Sequence, residues 1–129
     1  MMTWADLAAV GAGGFAGAII RYLVSRKLNT RAPVPYGTLV VNMFGCLLIG
    51  LVAGLQLSPT LTFLLGSGLA GALTTFSTWL KELVGMARLR EVGKSSGYLM
   101  GSIILGIVLV YAGYIGGTFF SSNGLVSCC

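Results

Sequence analysis

Gly66-Ser67-Gly68-Leu69-Ala70-Gly71-Ala72-Leu73-Thr74-Thr75-Phe76-Ser77-Thr78-Trp79 lies inside a run without a single charged residue from Ala32 to Leu80. A run that long and apolar points to the bilayer, yet glycines and hydroxyls crowd its middle. Glycine and β-branched threonine both weaken a helix. Hydroxyls can re-satisfy the backbone groups that a break sets free. The stretch therefore predicts a membrane helix broken near mid-depth, where irregular backbone is tolerated if it lines a cavity or holds an ion. Freed carbonyls suit a cation; freed amides and hydroxyls suit an anion. The plainer alternative is a continuous helix whose hydroxyls bond back to their own carbonyls.

Composition around this stretch agrees with a membrane setting. The 129 residues include eight Lys or Arg, three Asp or Glu and no His, so 9% are charged. Mean hydropathy is +0.92. A soluble domain carries about 25% charged residues. An aqueous enzyme domain, a nucleic-acid reader and a disordered tail are therefore excluded. The net charge of +5 reads as basic residues at helix ends, following the positive-inside rule and meeting lipid headgroups. A crossing takes about 20 residues, and the chain divides into four spans: residues 4–24, 37–57, 61–89 and 95–120, all in one domain covering 1–129. Strand barrels need alternating polarity. Ile103-Ile104-Leu105-Gly106-Ile107-Val108-Leu109-Val110 is apolar on every face, so the expected class is all-α. The start, Met1-Met2-Thr3-Trp4-Ala5-Asp6, lacks the basic region of a signal peptide, which predicts a retained first span. Cys46 reads as a small core residue, and Cys128-Cys129 as a tail pair without metal-binding neighbours.

Small-xxx-small spacings occur at Gly13/Gly17, Gly50/Gly54, Gly97/Gly101 and Gly113/Gly117. In lipid, close backbone approach carries much of helix association, so these pairs predict tight packing within a chain or between copies. Four helices are few for enclosing a polar path, which points to an oligomer.

An acidic residue inside a span marks a coupled transporter. Apart from Asp6 at the start of the first span and Glu82 in the third, the spans have none, and without His the usual proton relays and metal sites lose their ligands. No nucleophile–base pair can be assembled, so enzyme action is the weakest class. Uncharged polar groups remain. Asn42 brings two amide donors into an apolar span; it either bonds a neighbouring helix or serves a ligand. Phe76 and Trp79, three apart, are neighbours on one face of a helix. They either pack or offer positive ring edges to an anion. Tyr98 and Ser102, four apart, either continue a hydroxyl track or bond a neighbouring helix.

These residues resemble the Fluc (CrcB-type) fluoride channels. Gly37-Thr38-Leu39-Val40-Val41-Asn42 resembles that family's Gly-Thr-Leu-x-Val-Asn block. Gly71-Ala72-Leu73-Thr74-Thr75-Phe76-Ser77-Thr78-Trp79 resembles its Gly-Gly-Leu-Thr-Thr-Phe-Ser-Thr-Phe block, with Glu82 following at the expected interval. Length and four-span layout agree over essentially the whole chain. The resemblance implies a four-helix subunit with a broken third helix, in a dual-topology dimer of antiparallel subunits with two fluoride pores in the cell membrane. It implies that Asn42, Phe76, Trp79, Ser77, Thr78, Tyr98, Ser102 and Thr38 line the pore and that Arg21 forms a positive vestibule. Backbone carbonyls of Gly71 and Thr74 would hold a structural Na⁺ at the dimer interface. Two positions depart from the block. Trp79 stands in place of Phe and adds an N–H donor; Ala72 stands in place of Gly.

All eight basic residues fall on the side of the first and third connections. The positive-inside rule then favours one orientation, while an antiparallel homodimer needs both. The implied partner is a second copy or a paralog of reversed orientation. The rival class is a proton-coupled exporter like the small multidrug proteins, which needs a carboxylate embedded in the first span; after Asp6 that span has none. A non-transporting scaffold subunit leaves the Asn and hydroxyl–aromatic blocks unexplained.

Overall fold

The computed structural model describes residues 2–29 and 36–123. Arg31, Pro33 and Pro35 of the first connection, and the Cys128-Cys129 pair, lie outside the described residues. Among the described residues every regular element is helical. Four stretches are long and apolar enough to cross a membrane: Trp4–Leu28, Tyr36–Leu55, Pro59–Arg88 and Val92–Ser122. Large side chains such as Phe15, Phe44, Ile107 and Phe119 face outward along these spans. So much contiguous apolar surface is incompatible with water and natural against acyl chains. The chain is a multi-pass membrane protein.

Helix α1 (Trp4–Leu28) begins at a reciprocal cap. Thr3 Oγ1 accepts from the Asp6 N–H at 3.2 Å, and the Asp6 carboxylate accepts from the Thr3 N–H at 2.8 Å. The same carboxylate accepts from Thr60 Oγ1 at 2.7 Å, tying the start of α1 to α3 (Pro59–Thr62). α1 runs four residues beyond the expected end at residue 24, because Arg26 and Lys27 in its last turn suit the negative helix terminus. Helix α2 (Tyr36–Leu55) gives way to Gln56 at φ 50°, a left-handed residue that turns the chain toward α3. Pro59 opens α3, where its missing N–H costs nothing.

The third span is not one uniform helix. After α3 the backbone widens into a π-helical run, Phe63–Ala70, and Gly71 donates its N–H back to Gly66 O. α4 (Gly71–Leu73) follows. Thr74 and Thr75 are extended, with φ/ψ of −76°/149° and −146°/113°. α5 (Phe76–Arg88) then resumes, and Arg90 at φ 59° leads into α6 (Val92–Ser122). The interruption falls about half way along the span.

Two close seams organise the bundle. The widened run presses on α1: a Cβ at Gly68 would come within 2.7 Å of Val10 O, and one at Gly13 within 2.9 Å of Leu69 N. On the other side α2 and α6 interlock through Gly50 and Gly54 against the Val110–Thr118 backbone, and Gly113 and Gly117 against Leu47 and Leu51. α5 lies on α6 over Leu83, Met86 and Tyr98, with Leu39, Trp79 and Leu99 around them. These seams carry three of the four small-residue spacings. A Cβ at Gly97 or Gly101 meets nothing within 4 Å among the described residues.

Candidate functional site: grooves at the interrupted third span

The interruption is held by one side chain. Asn42 Oδ1 accepts from the Thr75 N–H at 2.8 Å, and Asn42 Nδ2 donates to Thr75 O at 3.3 Å. An unbroken helix would send the Thr75 N–H to Gly71 O. Gly71 O instead accepts the Thr74 hydroxyl at 3.4 Å, which is shared with Ala70 O at 3.1 Å. An amide group is suited to this role because it offers donor and acceptor side by side without carrying charge. One Asn42 amide hydrogen is left over after the Thr75 bond. Thr75 caps α5: its hydroxyl accepts from the Thr78 N–H at 3.4 Å and bonds Thr78 Oγ1 at 3.0 Å.

Two grooves meet at Thr75. One, of about 410 Å³, is lined by Asn42, Met43, Thr75, Phe76, Trp79 and Ser102, among others. Phe76 is 72% exposed, and its ring centroid lies 5.5 Å from that of Trp79, tilted by 39°. Trp79 Nε1 donates to Ser102 Oγ at 3.0 Å, and Ser102 donates in turn to Leu99 O at 3.0 Å. The other groove, about 390 Å³, is lined by Arg21, Tyr22, Ser25, Arg26, Thr75, Ser77 and Thr78. One face of the break is thus aromatic with an amide, and the other is basic with hydroxyls.

Thr38 and Tyr98 lie elsewhere. Thr38 has no exposed surface; it donates to Glu82 Oε1 at 2.5 Å and accepts from Asn29 Nδ2 at 3.4 Å. Tyr98 donates to Glu82 Oε2 at 3.2 Å, and Asn29 Oδ1 accepts from the Gly37 N–H at 2.8 Å. Glu82 therefore ties α2, α5 and α6 at the end of the bundle opposite Asp6 and Thr60. In the sequence Glu82 has no evident partner, and Asn29 reads, with Pro33 and Pro35, as a marker of the first connection rather than as part of a site. The available signal was the cost of a carboxylate inside a span, which demands donors from neighbouring helices. Met43 and Cys46, which also line the aromatic groove, carried no signal beyond apolarity.

Oxygen chemistry at the break suits a hard cation, since carbonyls released from helical bonding are good ligands for one. Gly71 is exposed on the chain surface and Thr74 is half-buried.

The family described as "CrcB-like protein, Camphor Resistance (CrcB)" matches residues 8–114. The chain belongs to the CrcB-like family. Among similar proteins in this family is the Fluoride-specific ion channel FluC of Chlorobium phaeobacteroides (strain BS1), 43% identical over 116 residues, covering 85% of this chain and 91% of that one. Another is the Fluoride-specific ion channel FluC 2 of Rhodococcus jostii (strain RHA1), 39% identical over 105 residues, with 81% and 92% covered. A third, the Fluoride-specific ion channel FluC 1 of Carboxydothermus hydrogenoformans (strain ATCC BAA-161 / DSM 6008 / Z-2901), is 36% identical over 120 residues, with 92% and 98% covered. Both motif blocks, the one ending at Asn42 and the one ending at Trp79, fall inside the CrcB-like match.

Proposed function

We propose that this chain is the subunit of a passive fluoride channel of the plasma membrane, letting F⁻ leave the cytoplasm down its gradient. The observation that carries the reading is the groove at the mid-span interruption, where Asn42, bonded to the Thr75 backbone, shares the lining with Phe76 and Trp79, in a family whose similar members are named fluoride-specific ion channels.

Fluoride is small and strongly hydrated, so a selective path must replace its water with donors at short range. Asn42 supplies its remaining amide hydrogen. Phe76 and Trp79 supply ring edges, which are positive without full charge. Arg21 draws the anion into the groove it shares with Ser77 and Thr78, and those hydroxyls carry it to the break. No fixed cation stands among the aromatic groove's lining residues, so exit stays fast enough for conduction. Thr38 and Tyr98 act from behind this lining, through Glu82, while Ser102 stands in the groove wall and holds Trp79.

Two subunits pair in opposite orientation, giving two pores, and the exposed break at Gly71 lies at the shared face. The Gly71 and Thr74 backbone carbonyls would hold a structural Na⁺ there, and the ion would add positive charge at the shared face without a basic side chain. Fluoride-electrode recording of efflux from liposomes containing only this chain tests the reading. The expected result is rapid F⁻ release with Cl⁻ retained. Liposomes tight to F⁻, or equally leaky to Cl⁻, would sink it.

A further inference from the structure

Trp79 stands at a groove position where a plain hydrocarbon ring would bring no polar hydrogen. Indole brings one N–H donor and no acceptor. Aimed into the groove, that donor would grip a small anion with charge-assisted strength, and a pore site that holds its ion too well slows exit.

The surrounding bonds prevent this. Ser102 Oγ accepts the Trp79 N–H at 3.0 Å. Its own hydrogen goes to Leu99 O at 3.0 Å, which fixes the hydroxyl as an acceptor toward the ring. Ser102 is 9% exposed, so water competes poorly for either bond. One pair of bonds thereby removes two donors from the groove wall. The hydroxyls of Thr74 and Thr75 are also engaged, with Ala70 O and Thr78 Oγ1.

We infer that Ser102 is a positioning residue for Trp79: it takes the indole N–H out of the anion path, so that the ring meets the ion by its edge alone. The inference rests on the fluoride-pore reading above. It gives Ser102 a role opposite in kind to a hydroxyl that donates to the ion. A donating Ser102 would lose the same contact whatever ring stands at position 79. A positioning Ser102 matters only while that ring carries an N–H.

Fluoride efflux from liposomes separates the two. S102A should slow efflux by about tenfold, because the released N–H deepens the site. W79F/S102A should pass fluoride within about twofold of W79F, a non-additive rescue that marks direct coupling. S102T, which keeps the acceptor, should stay near the parent rate. A second readout uses a W4F background, where Trp79 is the only indole left of the chain's 2 tryptophans. Added fluoride should change Trp79 emission more strongly in S102A, where the N–H meets the ion, than with Ser102 intact, where only the ring edge does. An S102A channel as fast as its parent, equal slowing in the W79F background, or an S102A emission blind to fluoride overturns the inference. A parent that passes no fluoride overturns the pore reading and this inference with it; a conducting parent whose S102A defect W79F does not rescue overturns this inference alone.

Discussion

Asn42 and Phe76 face the same groove but are built into the chain differently, and substitutions should separate function from folding. Phe76 is 72% exposed and its ring partner is Trp79, so little packing depends on it. Phe76→Ile is expected to abolish or sharply reduce fluoride efflux while leaving thermal unfolding in detergent unchanged. Asn42 carries two bonds to the Thr75 backbone. Asn42→Ala removes the pore donor and also strands an N–H and a carbonyl, at a cost of about 1–3 kcal/mol per unsatisfied group. Efflux and melting temperature should fall together in that variant. Unimpaired efflux in both would show that this groove is not the path. Asn42 was legible as a polar group with work to do, since an amide in an apolar span must find partners. Which partner was not legible, because nothing in local spacing says that a side chain of α2 closes on a backbone group of the third span.

Among elements, the glycine spacings show how far a pattern reads and where it stops. Their periodicity declares a smooth face on a helix, but not what lies against it. In the structure Gly50 and Gly54 meet the α6 backbone, whereas Gly97 and Gly101, with identical spacing, meet nothing among the described residues. Gly50→Ala places a Cβ against Val110 O, with Tyr114 N also at 3.0 Å. Backbone cannot rotate away as a side chain can, so the helices must separate, costing about 1–3 kcal/mol. Gly97→Ala enters open space and should leave the subunit's thermal unfolding, followed by circular dichroism, as it was. Equal losses at both positions would contradict this packing. The widened run Phe63–Ala70 lay beyond sequence reading for a related reason. Glycine and threonine announce a weak helix, while the pitch it adopts is set by α1 pressing on Gly68. Span number was readable because uncharged runs as long as a bilayer crossing have few other uses.

At the scale of the molecule, polar ties mark the two ends of the bundle. Asp6 joins Thr3 and Thr60 at one end; Asn29, Thr38, Tyr98 and Glu82 join at the other. Among the described residues every basic side chain belongs to the second half of this division. Arg21 and Arg26 line one groove and Lys81 and Arg88 another, leaving Lys27, Arg31, Arg90 and Lys94 toward the connections. Charge alone would therefore insert the chain one way. An antiparallel homodimer requires that assembly capture chains of the rarer orientation as they appear, drawing them into a buried seam. Val92, 65% exposed at the start of α6, reports orientation cleanly. V92C, in a background with Cys46, Cys128 and Cys129 replaced by alanine, should react with a membrane-impermeant thiol reagent on intact cells to about half the extent seen after lysis, since a dual-topology pair divides that end between the two faces against the charge bias. Labelling near zero would mean a single inward orientation. The channel would then need a second, oppositely inserted chain, and cells expressing this one alone would hold subunits without a pore.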